Sequence, residues 1–184
     1  MKINNYPIGV FDSGLGGLTV LKALKKELPN ESFIYFGDTA HVPYGNKSKT
    51  SILQYSNKII QFLQRQNVKL IIVACNTVSS TVLKQLIEEA KVPVLDVITP
   101  IFYLMKQVQD ISNIGIIGTR NTIQSKAYQK IILASNVNIN IYTQECPLFV
   151  PLIEEGLQNH QVAQLIASEY LEPLKIKKLD MLIL

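Results

Sequence analysis

Runs of apolar residues alternate along this chain with stretches where apolar positions recur every three or four residues. That pattern predicts strands alternating with amphipathic helices. Ile8 to Phe11 reads as a short strand, Gly17 to Leu28 as a helix with Leu18, Leu21, Leu24 and Leu28 on one face, and Phe33 to Gly37 as the next strand. Pro29-Asn30 closes the first helix. A second helix follows Ser48, with Ile52, Tyr55, Ile59 and Phe62 spaced for one apolar face. Leu70 to Val73 is apolar at every position, as suits a parallel strand covered on both faces. It runs into Ala74-Cys75-Asn76-Thr77-Val78-Ser79-Ser80, where Thr77 or Ser79 is expected to cap a helix continued by Val82, Leu83, Leu86 and Ala90. Val94 to Val97 is the next strand, and Thr99-Pro100 opens a helix carrying Ile101, Leu104, Met105 and Val108.

The alternation then starts again. Ile114 to Ile117 reads as a strand, Thr119 or Thr122 opens a helix through Ile131, and Val137 to Tyr142 is a half-exposed or edge strand. Helices around Leu152 and from Val162 to Leu171 follow, and Leu179 to Leu184 is another apolar strand. The order predicts an α/β fold with parallel or mostly parallel sheets. One β/α series ends near Ile98 and a similar one begins, so the expected domains are 1–98 and 99–184. A strand apolar at every position but Asp180 is unusual at a chain end, since termini are normally exposed. The expectation is therefore a second domain that is incomplete in this sequence.

Composition narrows the setting. No run in the 184 residues approaches the ~20 apolar residues of a membrane span. The first residues lack the apolar segment of a signal peptide, so a cytoplasmic protein without membrane contact is expected. Cys75 and Cys146 lie far apart without a Cys-x-x-Cys partner, which suggests neither a disulfide framework nor a metal site. The net charge of +4 is spread over single lysines rather than a basic stripe with aromatics, so nucleic acid is not an expected partner.

Candidate chemistry gathers at the ends of strands, where α/β sheets collect ligands. Cys75 ends a strand and precedes a helix, so its thiolate is expected to be favoured by unpaired N–H groups. A buried cysteine acting as a small hydrophobe is the alternative. Asp12-Ser13-Gly14-Leu15-Gly16-Gly17 is a glycine-rich turn that lets N–H groups approach an anion such as a carboxylate, or simply a tight strand-to-helix turn. It matches neither the dinucleotide fingerprint nor the P-loop. Gly37-Asp38-Thr39-Ala40-His41-Val42-Pro43-Tyr44-Gly45 and Gly118-Thr119-Arg120-Asn121-Thr122 are further strand-end loops, the first explicable by turn chemistry and the second by helix capping.

Taken in order, these stretches resemble glutamate racemase, of the aspartate/glutamate racemase family. They are Asp12 to Val20, Tyr35 to Ala40 with Pro43-Tyr44-Gly45, Ala74-Cys75-Asn76-Thr77, Gly118-Thr119 with Thr122, and Cys146 to Gly156. The resemblance runs from Ile8 to the last residue. It implies two similar Rossmann-like or flavodoxin-like domains with the active site between them, and no cofactor. It also implies inversion of glutamate by two cysteines on opposite sides of Cα, supplying D-glutamate for peptidoglycan. On this resemblance Cys75 is the first of the pair, and the second lies in a Gly-Cys-Thr-His segment expected just after Leu184. Asp12 assists Cys75, and Asp12, Ser13, Pro43, Tyr44, Gly45, Asn76, Thr77, Thr119 and Thr122 fall on positions that line the glutamate pocket. Glu154 and Glu155 fall on an acidic segment near the second cysteine, and Cys146 falls outside the catalytic pair. His41 stands where arginine is frequent, and Ile101 where glycine is common. A non-catalytic glutamate-binding remnant and an aspartate racemase relative are the alternative readings. The sequence does not fix the oligomeric state, with a homodimer among the open options.

Overall fold

The structure is a computed structural model and describes residues 5–108, 110–135 and 139–184. The chain divides into two compact units, Met1–Val97 and Ile98–Leu184. In the first, β1 (Ile8–Asp12), α1 (Leu18–Glu27), β2 (Phe33–Gly37), a 3-10 turn (Tyr44–Asn46), α2 (Lys49–Arg65), β3 (Leu70–Val73), α3 (Asn76–Thr81), α4 (Leu83–Glu89) and β4 (Val94–Asp96) follow in order. The strands form one parallel sheet in the order β2-β1-β3-β4.

Every residue of the central strand β1 is buried, and successive side chains divide between the two faces as strand geometry requires. Ile8 and Val10 pack with Val20, Leu21 and Leu24 of α1. Phe11 joins Ile52, Ile59, Ile60 and Leu63 of α2, together with Val73, Cys75 and Leu86. Two of the four apolar positions expected on α1 are exposed, Leu18 and Leu28. Leu18 occupies the first helical position, ahead of the turns that lie on the sheet, and Leu28 falls beyond the last turn.

The segment after Cys75 departs from the expected single capped helix. Cys75 itself is the N-cap residue, and no side chain caps α3. The Ser80 and Thr81 hydroxyls instead bond back to the Thr77 carbonyl, and Ser79 bonds back to the Val73 carbonyl. Hydroxyls engaged backwards in this way do not serve as caps. The backbone leaves helical geometry at Val82 and restarts as α4.

The second unit contains α5 (Pro100–Gln107), β5 (Asn113–Gly118), α6 (Arg120–Ser125), α7 (Ala127–Ala134), β6 (Asn140–Glu145), α8 (Phe149–Glu154), α9 (Gln161–Lys175) and β7 (Met181–Ile183). Its parallel sheet has the order β6-β5-β7. The helix expected through Ile131 breaks at Lys126, which adopts a left-handed conformation. The expected strand at Val137 to Tyr142 lies further on, because β6 pairs residue for residue with β5 from Asn140 to Glu145; Val137 falls outside the described residues. No helix among the described residues is long and apolar enough to cross a membrane.

β7 is tied to β5 by more than its ladder. The exposed Asp180 carboxylate accepts the N–H groups of Ser112 and Asn113 at 2.8 and 2.9 Å, which holds its pKa below the ordinary carboxylate value. Because the folded value is lowered, this contribution is present above the unfolded pKa and is lost as pH falls through the folded one. Asp180→Ala should speed hydrogen exchange at the Ser112 and Asn113 amides at neutral pH, and acidification below the carboxylate range should erase the difference from wild type.

Candidate active site

The strand order of the first unit reverses direction between β1 and β3, since β2 lies on one side of β1 and β3 on the other. In open parallel sheets the carboxyl ends at such a switch point form the binding crevice. At these carboxyl ends lie Asp12, the last residue of β1, followed by Ser13, and Cys75, two residues beyond the end of β3.

The loop after β1 is folded around its own carboxylate. Asp12 Oδ2 accepts the N–H of Gly14 at 2.9 Å and of Gly17 at 3.1 Å. A β-carbon on Gly17 would lie 2.5 Å from Asp12 Cβ and 3.1 Å from Ala74 Cβ, so glycine is needed for the close approach. The loop is also fastened to β2, where the Tyr35 hydroxyl donates to the Gly14 carbonyl at 2.7 Å. A β-carbon on Gly37 would stand 2.5 Å from that same carbonyl oxygen.

This arrangement delivers Ser13 to the cysteine. The Cys75 thiol donates to Ser13 Oγ at 3.3 Å, and Asp12, Ser13 and Cys75 are all buried. Burial pushes the thiol up from an ordinary value of 9.0 to about 11, with the Asp12 carboxylate adding to the rise. The Ser13 hydroxyl and the backbone N–H groups of Val78 and Ser13 pull it down. The helix-entry donors therefore act in the expected direction but lose to desolvation. Instead of a thiolate favoured by its position, the site holds a protonated thiol.

Tyr44 and Gly45 are buried in the same unit, with Tyr44 in the apolar cluster that contains Cys75. Thr77 is buried on α3, and Asn76 and Pro43 are partly so. Thr119 and Thr122 belong to the second unit. There Thr119 caps α6 by accepting the Thr122 N–H, and the two hydroxyls lie 3.0 Å apart. Glu154 is half-buried and Glu155 exposed. Cys146 is buried behind Ile117 and Leu174, and burial raises its thiol to about 11. Sequence reasoning gave no role to Asp38, a buried carboxylate that accepts the Tyr44 hydroxyl. Its place beside Tyr44 in a polar strand-end loop was the available signal.

A parallel α/β fold with a buried cysteine, carboxylate and serine at its switch point defines the class, and the sequence pattern of the Asp/Glu/Hydantoin racemase family matches residues 8–184. The chain belongs to this family. It is 48% identical over 177 residues to a glutamate racemase of Geobacter metallireducens, covering 96% of this chain and 66% of that protein. It is likewise 48% identical over 184 residues to one of Thermus thermophilus, covering 100% and 68% respectively. The structure of a Francisella tularensis glutamate racemase in complex with D-glutamate superposes with a TM-score of 0.89 at 45% identity, over 99% of this chain and 68% of that one. The chain thus spans about two thirds of the length of these relatives.

Two measurements test the site. Gly17→Ala should cost about 1–3 kcal/mol in denaturant unfolding, since the new methyl group displaces Asp12 in a packed interior. The raised Cys75 pKa also has a stability consequence. The folded chain binds that proton more tightly, so the contribution is complete below the unfolded value near 9.0 and is lost as pH rises through about 11. Thermal melts across this window should show a smaller alkaline loss in Cys75→Ser than in the wild type.

Proposed function

We propose that this chain acts in cofactor-independent glutamate racemisation, with Cys75 as one of the two acid–base groups. The observation that carries the reading is the grouping of Cys75, Ser13 and Asp12 at the β1/β3 switch point, in a chain 48% identical to glutamate racemases. Inversion at Cα requires a proton to leave one face and another to arrive at the opposite face. Cys75 serves one face, giving up its proton as thiol or taking the Cα proton as thiolate.

Asp12 accounts for the thiolate step. Its charge adds to the rise of the thiol pKa, but a substrate ammonium group beside it would cancel that repulsion and favour the thiolate. The thiol would thus become a base when glutamate is bound, as acid–base catalysis near neutrality requires. Ser13, Asn76, Thr77 and the Pro43-Tyr44-Gly45 segment supply hydroxyl, amide and backbone groups to the substrate on this reading. The family resemblance gives Thr119 and Thr122 the same role. The setting proposed is cytoplasmic supply of D-glutamate for peptidoglycan.

A second reading, glutamate binding without turnover, is favoured by one observation: the Cys75 thiol is buried against Ser13, and burial pushes its pKa up to about 11. Exchange on one face of Cα separates the two, because it needs Cys75 alone. In deuterated water the chain should exchange the Cα hydrogen of D-glutamate, Cys75→Ser should abolish this, and Asp12→Asn should slow it by about 10²-fold or more. Calorimetric binding of glutamate with no exchange, unaffected by Cys75→Ser, would select the binding protein. Faster exchange with aspartate than with glutamate would redirect the substrate.

A further inference from the structure

Asp38 has no part in the proton transfer just described, yet its surroundings are built with care. It follows β2, and its N–H bonds to the Asp12 carbonyl at 3.0 Å. Its buried carboxylate accepts the Tyr44 hydroxyl at 2.5 Å. The Nδ1 of His41 lies 2.8 and 2.9 Å from its two oxygens. The His41 ring is in turn stacked on Tyr55 of α2, with centroids 4.1 Å apart and planes inclined by 21°.

Tyr44 connects this cluster to the cysteine. It is 1% exposed, packs in the same apolar cluster as Cys75, and lies 5.9 Å from Tyr55 between ring centroids. Burial, with Asp38, Cys75 and Tyr55 adding to it, raises its pKa far above the phenol range. Its proton therefore stays in place, and the bond remains a donation from a neutral phenol to a carboxylate. Such charge-assisted bonds are short and about twice as strong as neutral ones. A buried carboxylate without such partners would be strongly unfavourable.

We propose that Asp38 and His41 are positioning residues for the Cys75 reaction, gripping the Tyr44 hydroxyl so that Pro43-Tyr44-Gly45 stays packed and keeps solvent from the thiol. This rests on the racemase reading for its purpose, though not for its test. The groups facing the thiol are Asp12 and Ser13 from the β1 loop, the Val78 N–H from α3, and Tyr44. Lys58 and Tyr55 of α2 border the depression beside Asp38 and His41.

The test is alkylation of Cys75 by iodoacetamide over a pH series, read by peptide mass spectrometry so that Cys146 is scored separately. Tyr44→Phe and Asp38→Ala should each admit solvent, lowering the midpoint of the Cys75 profile by about one unit and raising its rate at neutral pH by roughly three- to ten-fold. The double variant should move no further than the larger single. Asp38→Asn, whose amide oxygen still accepts from Tyr44, should stay near wild type, and His41→Ala should give a smaller shift in the same direction. A change that only loosened the fold would lower the melting temperature without this pattern. The proposal is overturned by an unmoved midpoint in Tyr44→Phe, by additive single variants, or by Asp38→Asn behaving as Asp38→Ala. Should Asp38→Ala fail to fold, Tyr44→Phe and Asp38→Asn decide between the same outcomes. Repeating the series with D-glutamate keeps the two readings apart, since absent protection of Cys75 counts against the racemase while leaving the variant shifts standing.

Discussion

The architecture of the site depends on one carboxylate oxygen. Asp12 Oδ2 takes the N–H groups of Gly14 and Gly17, which winds the chain between β1 and α1 into a tight loop. Without those bonds two buried N–H groups would be left unsatisfied at a cost of about 1–3 kcal/mol each. The same loop geometry delivers Ser13 to Cys75 and leaves the Asp12 charge near enough to raise the thiol pKa. Gly17 and Gly37 then follow as requirements, because a methyl group at either would enter space already filled by Asp12 or by the Gly14 carbonyl.

Two opposing influences meet on the thiol, and their balance sets its chemistry. Backbone N–H groups at the entry of α3 and the Ser13 hydroxyl favour the thiolate. Burial and Asp12 oppose it and win, pushing the thiol from 9.0 up to about 11. Desolvation acts on the charged form alone, which is why burial outweighs the donors at the helix entry.

Much of this was legible because it is local. Strand runs such as Phe33 to Gly37, the helix start after Ser48, and the Thr119 cap follow from periodicity and from the reach of one hydroxyl. The strand-end placement of Asp12 and Cys75 followed from the β/α alternation. What escaped is non-local. The direction of the Cys75 shift depends on how deeply the packed fold buries it, which helix-entry chemistry alone does not reveal. The pairing of Asp38 with Tyr44 depends on a 3-10 turn folding back across six residues. The backward bond of the Ser79 hydroxyl to the Val73 carbonyl competes with capping on equal local terms, so residue type alone does not decide between them.

The two sheets also repeat one topology. In the first unit β2 and β3 flank β1, and in the second β6 and β7 flank β5, all parallel. Strand for strand, β5 corresponds to β1 and β7 to β3. Thr119, after β5, then stands at the counterpart of the Asp12-Ser13 loop, and the carboxyl end of β7 is the counterpart of the position held by Cys75. Both units use the strand end at their switch point to present short polar side chains from a hydrogen-bonded loop. A repeated β/α order thus gives each unit an equivalent strand end at which a short loop can be held by hydrogen bonds.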